Sequence, residues 1–464
     1  MMSPSIQLGP TTPPIKFTQV EPVFLTDETL RERKNKVLQG MVKDGFDALV
    51  IYADKEHGGN FEYLTGFIPR FEEGLLVIDA SGDCTVILGN ENLKLARFSR
   101  VPVTLLHCPL FSLPNQPMDH ETPLESLLAS AGLSVKSKVG LVGWKMFTPA
   151  AGNGSSYFDL PFFIVDALQR TLKTEAEMLN AAHLFIGGET GARVTNNANE
   201  IAHYEYGANL ASNCILEAID AVEVGVREVD LGAFLAAEGQ YNTVVSIAAT
   251  GARFEHAHLY PTYKRVQQGD PLSLTTGFKG GLSSRAAFVI AHSSELPDAQ
   301  KDWLDRIAKP YFSAQVAWLE NIHVGMTGGE LYDLIEDVMP KARYGWHLNP
   351  GHLVADEEWM SSPVYPQSGE TLKSGMMLQI DIIPSVPGYN GVSAEECVAL
   401  ADASLQAAIA EAYPMLWHRI ETRRRYLRDE IGIKLNADVL PLSNAVGYLR
   451  PFLLAKNESF SVGK

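Results

Sequence analysis

The sequence predicts an α/β (α+β) protein: an N-terminal three-layer domain over residues 1–172, then a duplicated domain over 173–464. Three observations carry this. Short apolar strands alternate with helical segments up to about Arg170. The stretch Val222-Glu223-Val224-Gly225-Val226-Arg227 is echoed by Ile322-His323-Val324-Gly325-Met326-Thr327, with the two glycines 100 positions apart. Each copy follows a helical pattern and is followed by strand-like runs. With 464 residues, 46% hydrophobic and 20% charged, the chain can build more than one core, and disordered, collagen-like and coiled-coil classes are excluded.

Taken in order, Thr26 caps a helix whose first turn is acidic and whose Leu30, Val37, Leu38, Met41 and Val42 keep a helical period. Asp44-Gly45 ends it, and Ala48–Tyr52 reads as a buried strand. Strands follow at Leu75–Ile78, Thr85–Leu88, Val103–Leu106 and Val139–Val142. The second domain opens with helical patterns over 173–188 and 200–222. Strands are expected at Val244–Ala249, Leu272–Thr275 and Ala287–Ile290 in one half, and at Met377–Ile382 and Cys397–Leu400 in the other. Two halves around one sheet place a pocket at their junction.

Thirty-eight Lys and Arg stand against 55 Asp and Glu, a formal net charge of -17. That average field repels a polyanion, so no nucleic-acid partner is expected. The dense basic cluster Arg423-Arg424-Arg425 with Arg428 reads as a solvated or subunit-contact face. Cys84, Cys108, Cys214 and Cys397 have neither disulfide-framework nor zinc-thiolate spacing, which fits a reducing cytoplasm. Met1–Thr18 lacks the layout of a signal peptide, and no apolar run is long enough for a membrane helix. A cytoplasmic protein without a membrane partner is expected.

Candidate chemistry lies in polar residues at strand ends. Gly251–Pro261 carries His256 and His258, and Gly345–His352 carries His347 and His352. Asp381 ends an apolar strand, and Glu395-Glu396 begin another. An acid in an apolar strand is costly to bury unless it is paired, metal-bound or functional. Singly, each residue also reads as a capped turn, a rim carboxylate or a satisfied core histidine; as an ordered set on a duplicated scaffold they point to a site.

The ordered run Leu272–Gly277, Gly280–Arg285, Pro350-Gly351-His352, Gly375–Asp381 and Gly391–Glu396 resembles the pita-bread family: creatinase, prolidases, Xaa-Pro aminopeptidases and methionine aminopeptidases. Tyr63-Leu64-Thr65-Gly66 is similar to the extra N-terminal domain of the creatinase/prolidase branch. The resemblance implies a two-metal site of Asp, Asp, His, Glu and Glu. Here the first Asp falls on Thr275, the second on Ser284 or Arg285, the His on His352, and the Glu pair on Asp381 and Glu395. Carboxylates must balance about four positive charges in a dinuclear site, so this departure argues against two metals.

Two arrangements remain open. His352, Asp381 and Glu395 hold one divalent ion (Mn, Fe or Zn), or no metal is bound and the site works by acid–base chemistry, as in creatinase. The resemblance makes His258 a proton shuttle and His352, Asp381 and Glu395 catalytic groups. Arg285 binds a substrate carboxylate or forms an internal ion pair. Where Xaa-Pro peptidases carry a further histidine, Trp359 stands as a pocket wall. Arg70 and Phe71 occupy the place of a creatinase loop that contacts substrate in the partner subunit, which implies a homodimer.

The expected activity is cleavage of a C–N bond in a small molecule or short peptide. An Xaa-Pro aminopeptidase or dipeptidase is the first alternative, and a non-catalytic binding protein of the same fold is the second.

Overall fold

Ala48–Ala53 is apolar at every position and wholly buried, the pattern of a strand covered on both faces. In the computed structural model, which describes residues 5–116, 121–188, 190–255 and 260–463, it is central to a six-stranded sheet. The order is Thr104–His107, Cys84–Leu88, Gly74–Asp79, Ala48–Ala53, Lys138–Val142, Glu177–Asn180. Val50 and Val77 join helices Leu124–Ser130 and Phe162–Thr171 in one core, while Leu49, Ile51 and Leu76 are buried too. Both faces are therefore covered, as a three-layer domain requires. The helix Asp27–Asp44 starts at its Thr26 cap and ends on Gly45, as the sequence predicts, but Val42 is exposed.

The chain divides into two compact units, residues 25–194 and residues 1–24 with 195–464. This division lies beyond the 172/173 junction read from the sequence. The helix expected over 173–188 is replaced by the edge strand Glu177–Asn180 and a short helix, His183–Ile186. Pairing with Lys138–Val142 overrides the helical preference of the Glu- and Ala-rich segment.

The second unit contains two antiparallel four-stranded sheets. One runs Ser393–Glu395, Gly281–Phe288, Pro271–Phe278, Ile247–Thr250; the other runs His352–Leu353, Met377–Gln379, Cys397–Leu400, Val439–Pro441. The run Ser393–Leu400 belongs to both, with Glu396 at the crossing. The strand expected at Ala287–Ile290 lies earlier, at Gly281–Phe288.

The duplication is visible in the turns. Gly225 and Gly325 both take left-handed conformations, with φ of 92° and 96°. Each donates its N–H to a carbonyl 2.8 Å away, of Val266 and Leu372 respectively. Arg227 bridges Arg265 as Thr327 bridges Thr371.

The long helix Ala198–Asp220 packs on the Pro271–Phe278 and Gly281–Phe288 hairpin. A Cβ at Gly207 would lie 1.8 Å from the Lys279 carbonyl oxygen. Gly207→Ala is expected to lower stability by about 1–3 kcal/mol through overpacking against rigid backbone, measurable by denaturant titration. No helix of the described residues is long and apolar enough to cross a membrane. All four cysteines are buried and free.

The basic cluster is not one solvated face. Arg423 turns inward and pairs with buried Glu205 at 2.7 Å, while Arg428 pairs with Asp429 at the surface.

Candidate functional site

Strand register brings the site together. Ser284 lies opposite Thr275 on one side and Glu395 on the other, and facing residues of antiparallel strands share a sheet face. Thr275 Oγ1 and Ser284 Oγ are 2.9 Å apart, and Ser393 Oγ is 3.4 Å from Ser284 Oγ. In the other sheet His352 faces Gln379. The Gln379 amide donates to the Leu282 carbonyl at 2.8 Å and to Glu395 Oε1 at 3.3 Å, tying the sheets across the site.

One helix, Lys309–Asn321, supports both halves. The Tyr311 hydroxyl accepts the Ala394 N–H at 2.7 Å, beside Glu395, and Trp318 Nε1 donates to the Pro350 carbonyl at 2.7 Å, just before His352. Neither residue was singled out from the sequence; their aromatic and helical signals do not differ from those of ordinary core.

His352, Asp381 and Glu395 are buried, and one donor atom from each lies within 4.8 Å of the others. His352 Nε2 is 3.9 Å from Asp381 Oδ2 and 3.7 Å from Glu395 Oε1, too far for hydrogen bonds. His352 Nε2 and Asp381 Oδ1 have no hydrogen-bond partner among the described residues. Burial pushes the Asp381 carboxyl well above its ordinary range, reinforced by Glu395, and pushes Glu395 up likewise, reinforced by Glu358. Burial also holds His352 below its usual value against the pull of Asp381. One imidazole and two carboxylates so placed could hold a cation.

The imidazole is held in place. Trp359 stacks on it with ring centroids 4.1 Å apart and planes 26° from parallel, and Nδ1 lies 3.3 Å from the Leu353 carbonyl. A proton on Nδ1 directs the Nε2 lone pair toward the carboxylates, the tautomer a metal ligand needs. Trp359 thus bears on the ring of His352 itself.

A cavity of about 370 Å³ opens over this face. Thr275, Ser284 and Ser393 give it hydroxyls, Phe254 and Ile383 are among its apolar walls, and Glu395 and Glu358 are its acids. Glu358 was missed by sequence reasoning: in Glu357-Glu358-Trp359 nothing distinguishes the inward acid from its neighbour.

Arg285 does not face the cavity. One residue out of phase with Ser284, it lies on the opposite side of the strand, 2.7 Å from Glu396 Oε1 and bonded to the carbonyls of Tyr448, Ser284 and Ala445. The expected substrate contact is therefore corrected to the internal ion pair, and Ser284 is the residue that faces Thr275 and Glu395. Arg70 and Phe71 lie in the first unit on an exposed turn, with the guanidinium 5.1 Å from the Phe71 ring centre. His258 lies outside the described residues.

Two sheets joined by a shared strand and two equivalent glycine turns make up a pita-bread fold, with a histidine–carboxylate cluster between its sheets. Residues 202–402 match the model of metallopeptidase family M24. An uncharacterized peptidase, YqhT, of Bacillus subtilis (strain 168) is 24% identical over 219 residues, 45% of this chain and 60% of that protein. An Xaa-Pro dipeptidase of Lactobacillus helveticus is 25% identical over 187 residues, 38% of this chain and 50% of that protein. The chain thus spans about half the length of these curated relatives.

Among solved structures, the prolidase from Pyrococcus horikoshii OT3 superposes with a TM-score of 0.60 at 19% identity, covering 80% of this chain and 95% of that one. An X-Pro aminopeptidase from Thermotoga maritima MSB8 gives 0.59 at 15% identity, covering 80% and 95%. At these identities the likeness establishes the fold.

Proposed function

We propose that this chain hydrolyses a C–N bond in a short peptide or another small polar substrate, with one divalent ion held by His352, Asp381 and Glu395. The observation that carries the reading is the convergence of these three buried groups, with His352 Nε2 and Asp381 Oδ1 lacking a hydrogen-bond partner among the described residues. Such orphaned atoms cost about 1–3 kcal/mol each unless a ligand satisfies them. The M24 match and the peptidase relatives support a hydrolase.

One imidazole and two carboxylates suit Mn, Fe or Zn. A bound ion supplies Lewis acidity and a more acidic water. Asp381 and Glu395 supply its countercharge, Gln379 orients Glu395, and Trp359 with the Leu353 carbonyl fixes the His352 ring. The hydroxyls of Thr275 and Ser284, which stand where the resemblance implies acids, bond to each other and bring no negative charge. This favours one ion over two. The roles of His258 as proton shuttle and of Arg70 and Phe71 as substrate contacts, and the homodimer, rest on the resemblance.

Metal analysis by mass spectrometry, paired with assays on Xaa-Pro peptides, tests the reading. One ion per chain is expected, with activity lost on chelation and restored by Mn, Fe or Zn. Two ions per chain would reinstate a dinuclear peptidase. Full activity in metal-free protein would move the chemistry to the imidazole and carboxylates alone.

A further inference from the structure

We infer that Glu358 is a specificity residue: it selects substrates that present a protonated amine, in a cavity that rejects those presenting a free carboxylate. The inference rests on the hydrolase reading above and adds its substrate class.

Among the described residues, no lysine or arginine lines the cavity. The nearest strand cation by sequence, Arg285, is on the far side of its sheet and commits its guanidinium to Glu396 and three carbonyls. A substrate carboxylate would therefore enter without a fork to receive it. Asp381 and Glu395 together balance one divalent ion, which leaves Glu358 as an additional acid on the cavity wall.

Glu358 is half-buried, and no described residue donates a hydrogen bond to its carboxylate. Glu358 lines the same cavity as Glu395, Thr275 and Ser284. The remaining polar lining consists of hydroxyls such as Thr275 and Ser284, which can accept from an ammonium group but bring no charge. A cation gains a charge-assisted hydrogen bond from Glu358. An anion meets an unbalanced negative charge in a partly desolvated space.

Isothermal titration calorimetry on the full chain loaded with Mn²⁺ compares alanyl-proline amide, alanyl-proline and N-acetyl-alanyl-proline amide. The amide with its free amine is expected to bind at least about ten-fold tighter than either of the others. In Glu358→Gln, its advantage over the N-acetyl compound is expected to fall to about two-fold or less. Equal or tighter binding of alanyl-proline overturns the inference, as does an unchanged amine preference in a folded Glu358→Gln protein or no binding of any probe. The wild-type comparison stands without the variant.

Turnover measured on the same samples separates the two readings. Selective binding without cleavage overturns hydrolysis alone, whereas cleavage with the opposite preference overturns the amine selection alone.

Discussion

His352→Ala is expected to abolish retention of the metal ion and to lower kcat/KM by on the order of 10³-fold or more. Among the described residues three donors converge on the site, so losing the imidazole leaves two carboxylates facing each other across a buried space. Each already holds its proton more tightly than usual because of burial and its acidic neighbours. Without the ring, those neighbours favour protonation over metal binding. The cavity left beneath Trp359 also costs stability, so the assay is read beside a denaturation curve and metal content. Full activity in His352→Ala would reduce the residue to a packed core histidine.

The largest effect on stability is expected at Glu205. This carboxylate is wholly buried and takes Arg419 Nε at 2.9 Å and Arg423 Nη2 at 2.7 Å. Glu205→Ala leaves the buried Arg423 without its countercharge, which costs about 3–5 kcal/mol. Burial alone would raise the pKa of Glu205, but Arg423 and Arg419 outweigh it and hold the carboxyl below its ordinary value. The unfolded chain then binds the proton more readily than the folded one. Stability from this group is complete above the ordinary glutamate range near pH 4.5 and is lost as pH falls through the lower folded value. Urea titrations from pH 7 to pH 3 are expected to show an acid-dependent loss that Glu205→Gln largely removes. An equally steep loss in that variant would assign acid sensitivity elsewhere.

Much of this architecture can be read from residue pattern. The alternation through Val142 marks the first sheet because its strands are continuous apolar runs bounded by turn residues. The paired glycines at 225 and 325 mark the duplication because a left-handed turn restricts the residue there. Other features depend on partners distant in sequence. Glu177–Asn180 is a strand because a neighbouring edge was available, and no local propensity records that. His352, Asp381 and Glu395 were legible as polar residues in apolar surroundings. Glu358 was not, since an acid on a loop beside another acid is ordinary until the fold turns one inward. Arg285 and Ser284 were indistinguishable by motif position, and a strand's alternation separates them only once its register is known.

Glu395 and Glu396 are chemically near-identical neighbours with opposite assignments, one open to the cavity and the other locked against Arg285. A single-residue insertion or deletion between Val392 and Glu396 would exchange them, since alternate positions on a strand face opposite ways. The candidate centre would then lose its acid and the guanidinium its counterion in one event. Length variation is therefore barred from this short span, and loop grafting to alter substrate choice is better directed to the segment carrying Glu358.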